Sequence, residues 1–453
     1  MIGLNYEELK VDKNNLDGLI ILRFAKAFQS GGGVELYLED IDHILLTRNK
    51  AKIIRMYFEK ESKDGKITTK DIGQGSLVEI PMHVNVEAMQ SNSNKKGNWQ
   101  LTTSFFKTIF REFIVYNPFL YRIFFRDFLK RYYPRPGVFE IRNAGEKVRK
   151  ICQEYNVDLI VMHNIGTVDS AEIINEARKL RIPYIFINHY SNDRFSNISI
   201  REQLIDAAGI AGVNGLGVPR RLKSHFYNLS DGIDMKVFNP ERVRSVEIDT
   251  SIPIIFYPAR ITKVKGQCDL IKTCYILRSE GLHTRIVFAG RIDSPEYEDE
   301  LRGLVKKNGL TNDVLFIGQL NKEELRDWYG IASVLAFPTY HQEGLGRILI
   351  EAQAMKVPGV AYIIGGTPEG IQHGKTGFLV RKGDIKTFTK RLRELLTNET
   401  MRKAMGEEGR RFVQENFSLE ALADRHEKYY LRVLSNAKMI GNSTIETLII
   451  QNL

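Results

Sequence analysis

In the stretch IIFYPARITKVKG (254–266), an apolar run ends at Pro258 and two cations follow, Arg260 and Lys265, with Gly266 behind them. Two cations beyond the carboxyl end of a strand can hold a diphosphate, the arginine through its planar fork and the lysine as a point charge. A solvated basic loop is the plain alternative. A second stretch, SVLAFPTYHQEGLGRILIEAQAM (333–355), carries Glu343 and Glu351 in an E-x7-E spacing around Gly344-Leu345-Gly346. The glycines let backbone approach a ligand closely. A helix is expected to begin near Leu345, with Ile348, Ala352 and Met355 on its apolar face. Its first N–H groups would favour phosphate. Glu351 lies off that stripe and could accept two hydrogen bonds from a ribose diol. Glu343, in the loop, could accept hydroxyls from a sugar ring. Each residue also has a simpler account. Arg347 and Glu351 could be an i,i+4 ion pair, and Glu343 could merely favour a helix N-terminus. A third stretch, YIIGGTPEGIQHGKTGFLV (362–380), places Gly365 and Gly366 after another apolar run.

The elements that must position these groups are short apolar runs alternating with helical patterns, an α/β signature with parallel sheets. In the first half the expected strands are 18–24, 51–58, 77–81, 157–163, 182–188 and 208–214. In the second they are 252–258, 284–290, 313–318, 333–338 and 357–362. Segments 59–76 and 90–98 are polar and read as loops, and 235–250 reads as the hinge. With 453 residues the chain suits two domains. The expected division is 1–235, 236–416 and a terminal helix and tail at 417–453. Ligands of such sheets sit at the carboxyl ends of the strands, so two facing sheets would form a cleft.

Composition narrows the classes. The chain is 43% hydrophobic and 26% charged, an ordinary globular balance. No apolar run is long enough to span a bilayer, and the N-terminus lacks the pattern of a secretion signal. Three cysteines, Cys152, Cys268 and Cys274, fit a reducing compartment and argue against structural zinc. A net charge of +10 admits nucleic acid, an anionic membrane or a phosphorylated substrate.

Taken in order, Arg260…Lys265-Gly266, Glu343-Gly344-Leu345-Gly346…Glu351 and the GGTPEG…GFLV segment resemble the retaining glycosyltransferases of family 4, which have the GT-B fold. The resemblance is strong over about 230–430. QSGGGVELYLEDIDHILL (29–46) looks like that family's first glycine loop, with Gly32 and Gly33 opening a helix. DGIDMKVFNPE (231–241) resembles its Asn-Gly-Val-Asp segment, with Asp231 in place of the usual Asn. The stretch 417–434 is similar to the helix that crosses back to the first domain.

The resemblance implies a two-domain GT-B enzyme that moves a sugar from a nucleotide-diphosphate donor, UDP- or GDP-linked, with retained configuration. Arg260 and Lys265 would neutralise the leaving diphosphate. Glu351 would bind the ribose. Glu343, with the amides of Gly344, Leu345 and Gly346, would hold the donor sugar. FIGQLNKEEL, at Ile317, would meet the base through its backbone. No cofactor and no metal is implied, because fixed cations and helix dipoles stand in for one. Arg291 and Arg347 depart from the commonest pattern. Asp40 and Asp42 form an Asp-x-Asp pair, but residues two apart on a helix do not converge on one ion, and a solvated helix face is expected.

His163 and His189 end two expected first-domain strands, and the resemblance places a histidine at one of them against the donor sugar. A capping or core histidine is the alternative at each. Asp193 and Arg194, just behind His189, are candidates for touching the acceptor. The stretch 105–137 interleaves aromatics with Lys107, Arg111, Arg122, Arg126, Lys130, Arg131 and Arg135. Basic amphipathic helices with large aromatics lie in membrane interfaces. A peripheral position on the inner face of the cytoplasmic membrane and a lipid-linked saccharide acceptor follow. A soluble sugar or sugar-phosphate acceptor is the alternative within enzymes, an epimerase of the same fold a more distant one. From outside enzymes the alternative is a non-catalytic scaffold. Nucleic acid is not expected, since no recognisable module for it is present.

Overall fold

The computed structural model describes residues 15–25, 33–59, 67–83, 144–163, 171–188, 207–213 and 226–442, with isolated positions at 204, 215, 218, 222 and 223. Gly32, His189, Asp193, Arg194, the segment 90–98 and the basic aromatic stretch 105–137 lie outside the described residues. The chain divides into two compact units, Met1–Leu229 with Ala423–Leu453, and Ser230–Leu422.

The first unit is built on one sheet. Its strands are β1 (Ile20–Ala25), β2 (Lys52–Glu59), β3 (Thr68–Ile72), β4 (Gly75–His83), β5 (Leu159–His163), β6 (Tyr184–Asn188), β7 (Gly209–Gly212) and β8 (Phe226–Asn228). They lie in the order β3-β4-β2-β1-β5-β6-β7-β8. All pairs are parallel except the β3–β4 hairpin. That hairpin corrects the reading of 59–76 as loop. Its alternation is invisible because β3 is almost wholly exposed and polar; pairing with β4, not burial, makes it a strand. The helices are α1 (Gly33–Arg48), α2 (Ala144–Tyr155) and α3 (Ala171–Leu180). Leu22, Phe24, Ile54, Met56, Val78 and Ile80 alternate onto one face and join Val148, Ile151, Ile173 and Ile174 in a single core.

The opposite face of β1, β2 and β4 carries charge. Arg23, Arg55 and Glu79 stand side by side in register. Asp42 of α1 closes the set, 3.0 Å from Arg23 and 2.7 Å from Arg55, while Arg55 also reaches Glu79 at 3.2 Å. Arg23 and Asp42 are 0% exposed. This corrects the expected solvated face for Asp42: two buried cations require a buried anion between them. Asp40 is half-buried in the same helix.

The second unit holds six parallel strands: β9 (Ile254–Pro258), β10 (Arg285–Ala289), β11 (Val314–Phe316), β12 (Val334–Phe337), β13 (Gly359–Ile363) and β14 (Gly377–Arg381). Their order is β11-β10-β9-β12-β13-β14. The chain thus builds outward from β9 in one direction and then, from β12, in the other. The order reverses between β9 and β12, where sheets of this kind bind ligands. The continuous apolar runs arise because β9 and β12 are buried along their whole length. Helices α4 (Gln267–Ser279), α5 (Pro295–Lys307), α6 (Lys322–Ile331), α7 (Arg347–Ala354), α8 (Thr367–Gly370), α9 (Ile385–Thr397) and α10 (Glu399–Phe417) complete it. The segment read as a hinge at 235–250 packs within this unit, with Phe238 buried and the Arg244 N–H on Asp327.

The last helix, α11 (Leu419–Asn442), is counted with the first unit from Ala423 onward. Arg23 donates to the Tyr430 hydroxyl at 3.0 Å, Tyr429 stacks on Tyr227, and Asn49 donates to Glu427. Burial pushes the Tyr430 hydroxyl up to about 12. No helix among the described residues is long and apolar enough to cross a membrane.

Replacing Asp42 by Ala removes the carboxylate shared by two buried guanidinium groups and leaves Arg55 with Glu79. We expect a loss of about 3–5 kcal/mol, read as a lower urea midpoint for the first unit. An unchanged midpoint would show that the network adds nothing to stability.

Candidate functional site

The loops behind β9, β12 and β13 are joined backbone to backbone. The Tyr340 N–H donates to the Val264 carbonyl at 2.8 Å, and the Gly366 N–H donates to that of Glu343 at 3.0 Å. Two glycines make this approach possible. At Gly266 (φ +73) a Cβ would overlap the Pro338 carbonyl oxygen, and at Gly365 (φ +57) it would overlap that of Glu343. Both positions also need the left-handed backbone that glycine tolerates.

These loops bring the expected residues together. The Lys265 ammonium lies 2.5 Å from the Glu343 carboxylate, with both side chains largely buried. Thr339 donates to Glu343 at 3.4 Å, and the buried Tyr257 donates to the Lys265 carbonyl. Arg260 pairs at 2.5 Å with Asp293, which also accepts from Arg291 at 2.8 Å. The Arg291 bond, ahead of the charge of Arg260, holds the Asp293 carboxyl below its usual range. The loop after β10 is tied to the others by the Ile261 N–H on the Arg291 carbonyl and the Gly290 N–H on that of Gly318. Ile317 follows β11 beside that contact, its own N–H on the Phe288 carbonyl.

Helix α7 begins at Arg347, later than the expected Leu345, because Gly346 takes φ +85 as its N-cap. Leu345 is buried, so in this loop it offers backbone, not side chain, to a ligand. The buried face of α7 is Leu349, Ile350, Ala352 and Ala354; Ile348, placed on it from the sequence, is half-buried. Glu351 is only 8% exposed. It accepts from Tyr329 at 3.1 Å and stands 3.8 Å from Arg347. Burial raises its carboxyl above the usual range, against the opposing charge of Arg347. The same burial, with Glu351 next to it, pushes the Tyr329 hydroxyl well up.

The helix N-termini divide into two kinds. Those of α5, α6, α9 and α10 are capped by the side chains of Ser294, Asn321, Asp384 and Asn398. Helices α4, α7 and the one-turn α8, which follow β9, β12 and β13, begin at Gly266, Gly346 and Gly366, which have no side chain to cap with; in α4 the Cys268 N–H is given to the Tyr297 hydroxyl at 3.3 Å. Uncapped first-turn N–H groups, a positive dipole end and nearby cations are what a phosphate requires.

In the first unit, His163 ends β5 and is buried, and Gly33 is the first residue of α1. Sequence reasoning missed Tyr257, Asp269, Asp293, Tyr329 and Thr339. Asp269 accepts from Tyr340 at 2.7 Å and Tyr362 at 3.0 Å, holding the β12 loop onto α4. Asp293 stood two residues from the singled-out Arg291 and could have been paired with it. Tyr257 and Thr339 stand at the ends of apolar runs, and Asp269 and Tyr329 lie in helical stretches, with no spacing that singles them out. Among the described residues no group of His, Cys, Asp and Glu could hold a metal ion.

Fold comparison places the chain among GT-B proteins. Sucrose-phosphate synthase from Thermosynechococcus elongatus superposes with a TM-score of 0.63 at 16% identity, over 92% of this chain and all of that one. Anabaena HepE, solved in complex with UDP, gives 0.62 at 14% identity, over 91% and 99%. Residues 239–412 match the family model described as glycosyl transferases group 1. That match lies wholly within the second unit. The capsular polysaccharide biosynthesis glycosyltransferase CapM of Staphylococcus aureus is 30% identical over 41% of this chain and 47% of its own length. The N-acetyl-alpha-D-glucosaminyl L-malate synthase of Bacillus anthracis is 32% identical over 42% and 48%. A GDP-mannose-dependent monoacylated alpha-(1-6)-phosphatidylinositol monomannoside mannosyltransferase of Corynebacterium glutamicum is 30% identical over 46% and 58%. The chain thus spans about half the length of these curated relatives.

An acid whose folded pKa lies above its unfolded value costs stability where it is ionised. For Glu351 that cost is absent below the ordinary value of 4.5 and is fully present above its raised folded value. Glu351→Gln should therefore melt higher than the parent at pH 8, with the gap closing as pH falls toward 4.5. Melting curves across that range check it; a variant that melts lower at pH 8 contradicts it.

Proposed function

We propose that the chain is a retaining, metal-independent glycosyltransferase using a nucleotide-diphosphate sugar. The observation that carries this is the pair of helices that begin at Gly266 and Gly346 at the strand-order reversal, with Arg260, Lys265, Glu343 and Glu351 beside their N-termini. The diphosphate occupies the uncapped N–H groups. Its charge draws Lys265 from Glu343 and Arg260 from Asp293, which frees the Glu343 carboxylate for the donor sugar's hydroxyls. The ribose meets Glu351, and the base lies along the backbone at Ile317. The acceptor hydroxyl attacks on the face the diphosphate leaves, and the leaving phosphate takes its proton. Arg260, Lys265 and the helix dipoles stabilise the charge that develops on the leaving group. His163 and His189 are placed at the donor sugar by family resemblance alone, as are Gly32 and Gly33 at the phosphates.

The acceptor is a lipid-linked saccharide, and the enzyme works peripherally on the inner face of the cytoplasmic membrane. The basic aromatic composition of 105–137 supports this. So do relatives named for capsular polysaccharide and for a phosphatidylinositol mannoside. A soluble acceptor is the second reading, favoured by the relative named for transfer to L-malate.

Thermal stability in EDTA against UDP, GDP and ADP tests the donor site. The matching diphosphate at 100 times its Kd should add about 2.7 kcal/mol. With that donor, Lys265→Ala should lower kcat by roughly 10²–10³ through lost leaving-group stabilisation. No shift with any diphosphate, or parental turnover in Lys265→Ala, defeats the assignment.

A further inference from the structure

Asp231 and Arg347 each depart from the family pattern, and the fold pairs them with each other. Arg347 Nη1 lies 3.0 Å from Asp231 Oδ1, across 116 positions of sequence. The same guanidinium places its Nε 3.8 Å from Glu351. A cation in the first turn of a helix meets the positive end of the dipole, so Arg347 stands where helix energetics disfavour it. Asp231 supplies the compensating charge from outside the helix. It is itself anchored: its Oδ1 accepts the Gly232 N–H at 2.8 Å, and Ile233 bonds through its backbone to Phe417 and Leu419. The three side chains are largely buried, with Arg347 the most exposed at 26% and Asp231 at 13%. An arginine with that much solvent access keeps several rotamers unless a fixed anion selects one.

Resting on the reading of Glu351 as the ribose ligand, we propose that Asp231 is a positioning residue for donor recognition, acting through Arg347 to fix the Glu351 carboxylate for the ribose diol. A carboxylate accepts from two hydroxyls, whereas a protonated or rotated one accepts poorly. Burial works against the ionised form at Glu351, as does the charge of Asp231, and the charge of Arg347 opposes both, so what Asp231 supplies is the placement of Arg347 rather than the ionisation of Glu351. The Tyr329 hydroxyl holds the other oxygen at 3.1 Å. Asp231 therefore contributes specificity for ribose without touching the nucleotide.

The test compares two probes by calorimetry: the nucleoside diphosphate that stabilises the protein most among UDP, GDP and ADP, and its 2′-deoxy counterpart. The parent should prefer the ribonucleotide by about tenfold or more, as hydrogen bonds to a charged group imply. Asp231→Asn and Arg347→Gln should each reduce that preference to about threefold or less, with the 2′-deoxy affinity nearly unchanged. Asp231→Glu should restore it. Should Arg347→Gln fail to fold, Arg347→Lys, which keeps the charge but not the fork, should give an intermediate ratio. A full ribose preference in Asp231→Asn, alongside its loss in Glu351→Gln, overturns the positioning role and leaves the ribose assignment standing. A full preference in Glu351→Gln, or none in the parent, removes the ribose assignment and this inference with it. An equal loss for both nucleotides in Asp231→Asn marks a structural or phosphate effect and also overturns the proposal.

Discussion

The second unit turns on the seam between the loops that follow β9 and β12. These strands are neighbours in the sheet but far apart in the chain, and between them the sheet changes its direction of growth. Only there do two loops leave adjacent strands without a crossover lying over them. The seam is closed by the Tyr340 N–H on the Val264 carbonyl and by Gly266 lying under Pro338. Because the backbones touch, the side chains Lys265 and Glu343 are forced into contact. The glycine starts of α4 and α7 arise from the same geometry, since a glycine that permits close approach cannot also cap a helix with its side chain.

Charge in the site is arranged as exchangeable pairs. Lys265 sits on Glu343 and Arg260 on Asp293, whereas Arg347 on Asp231 is a fixed pair. On the proposed reading, a polyanionic donor displaces both carboxylates and leaves both cations neutralised. Glu351 is the exception. It is buried beside one partly shared arginine and is raised by that burial, so its ionised form costs stability.

The first unit uses buried charge differently. Arg23, Asp42, Arg55 and Glu79 cross three strands and a helix in the interior. Arg23 also reaches Tyr430 of the last helix. A polar pair inside an apolar face admits only one register, because a slipped strand would leave a guanidinium unpaired. The terminal helix is therefore keyed to the central strand and does not simply lie against it.

The sequence by itself determined the alternation of apolar runs and helices, and hence two parallel-sheet units. It also determined which strand ends carry glycine with charge, and hence Arg260, Lys265, Glu343 and Glu351 as one set. Those features are local: period, length and composition are written in consecutive residues. Tertiary structure alone decided which charge meets which. Asp42 reads as a solvated helix residue until Arg23 and Arg55 are brought over it by two strands. Strand β3 reads as a loop until β4 supplies its partner. The pairing of Asp231 with Arg347, and of Asp293 with two arginines, joins residues whose separation along the chain carries no periodic signal. Burial and pairing are properties of the space between elements, and that space exists only once the sheet has closed.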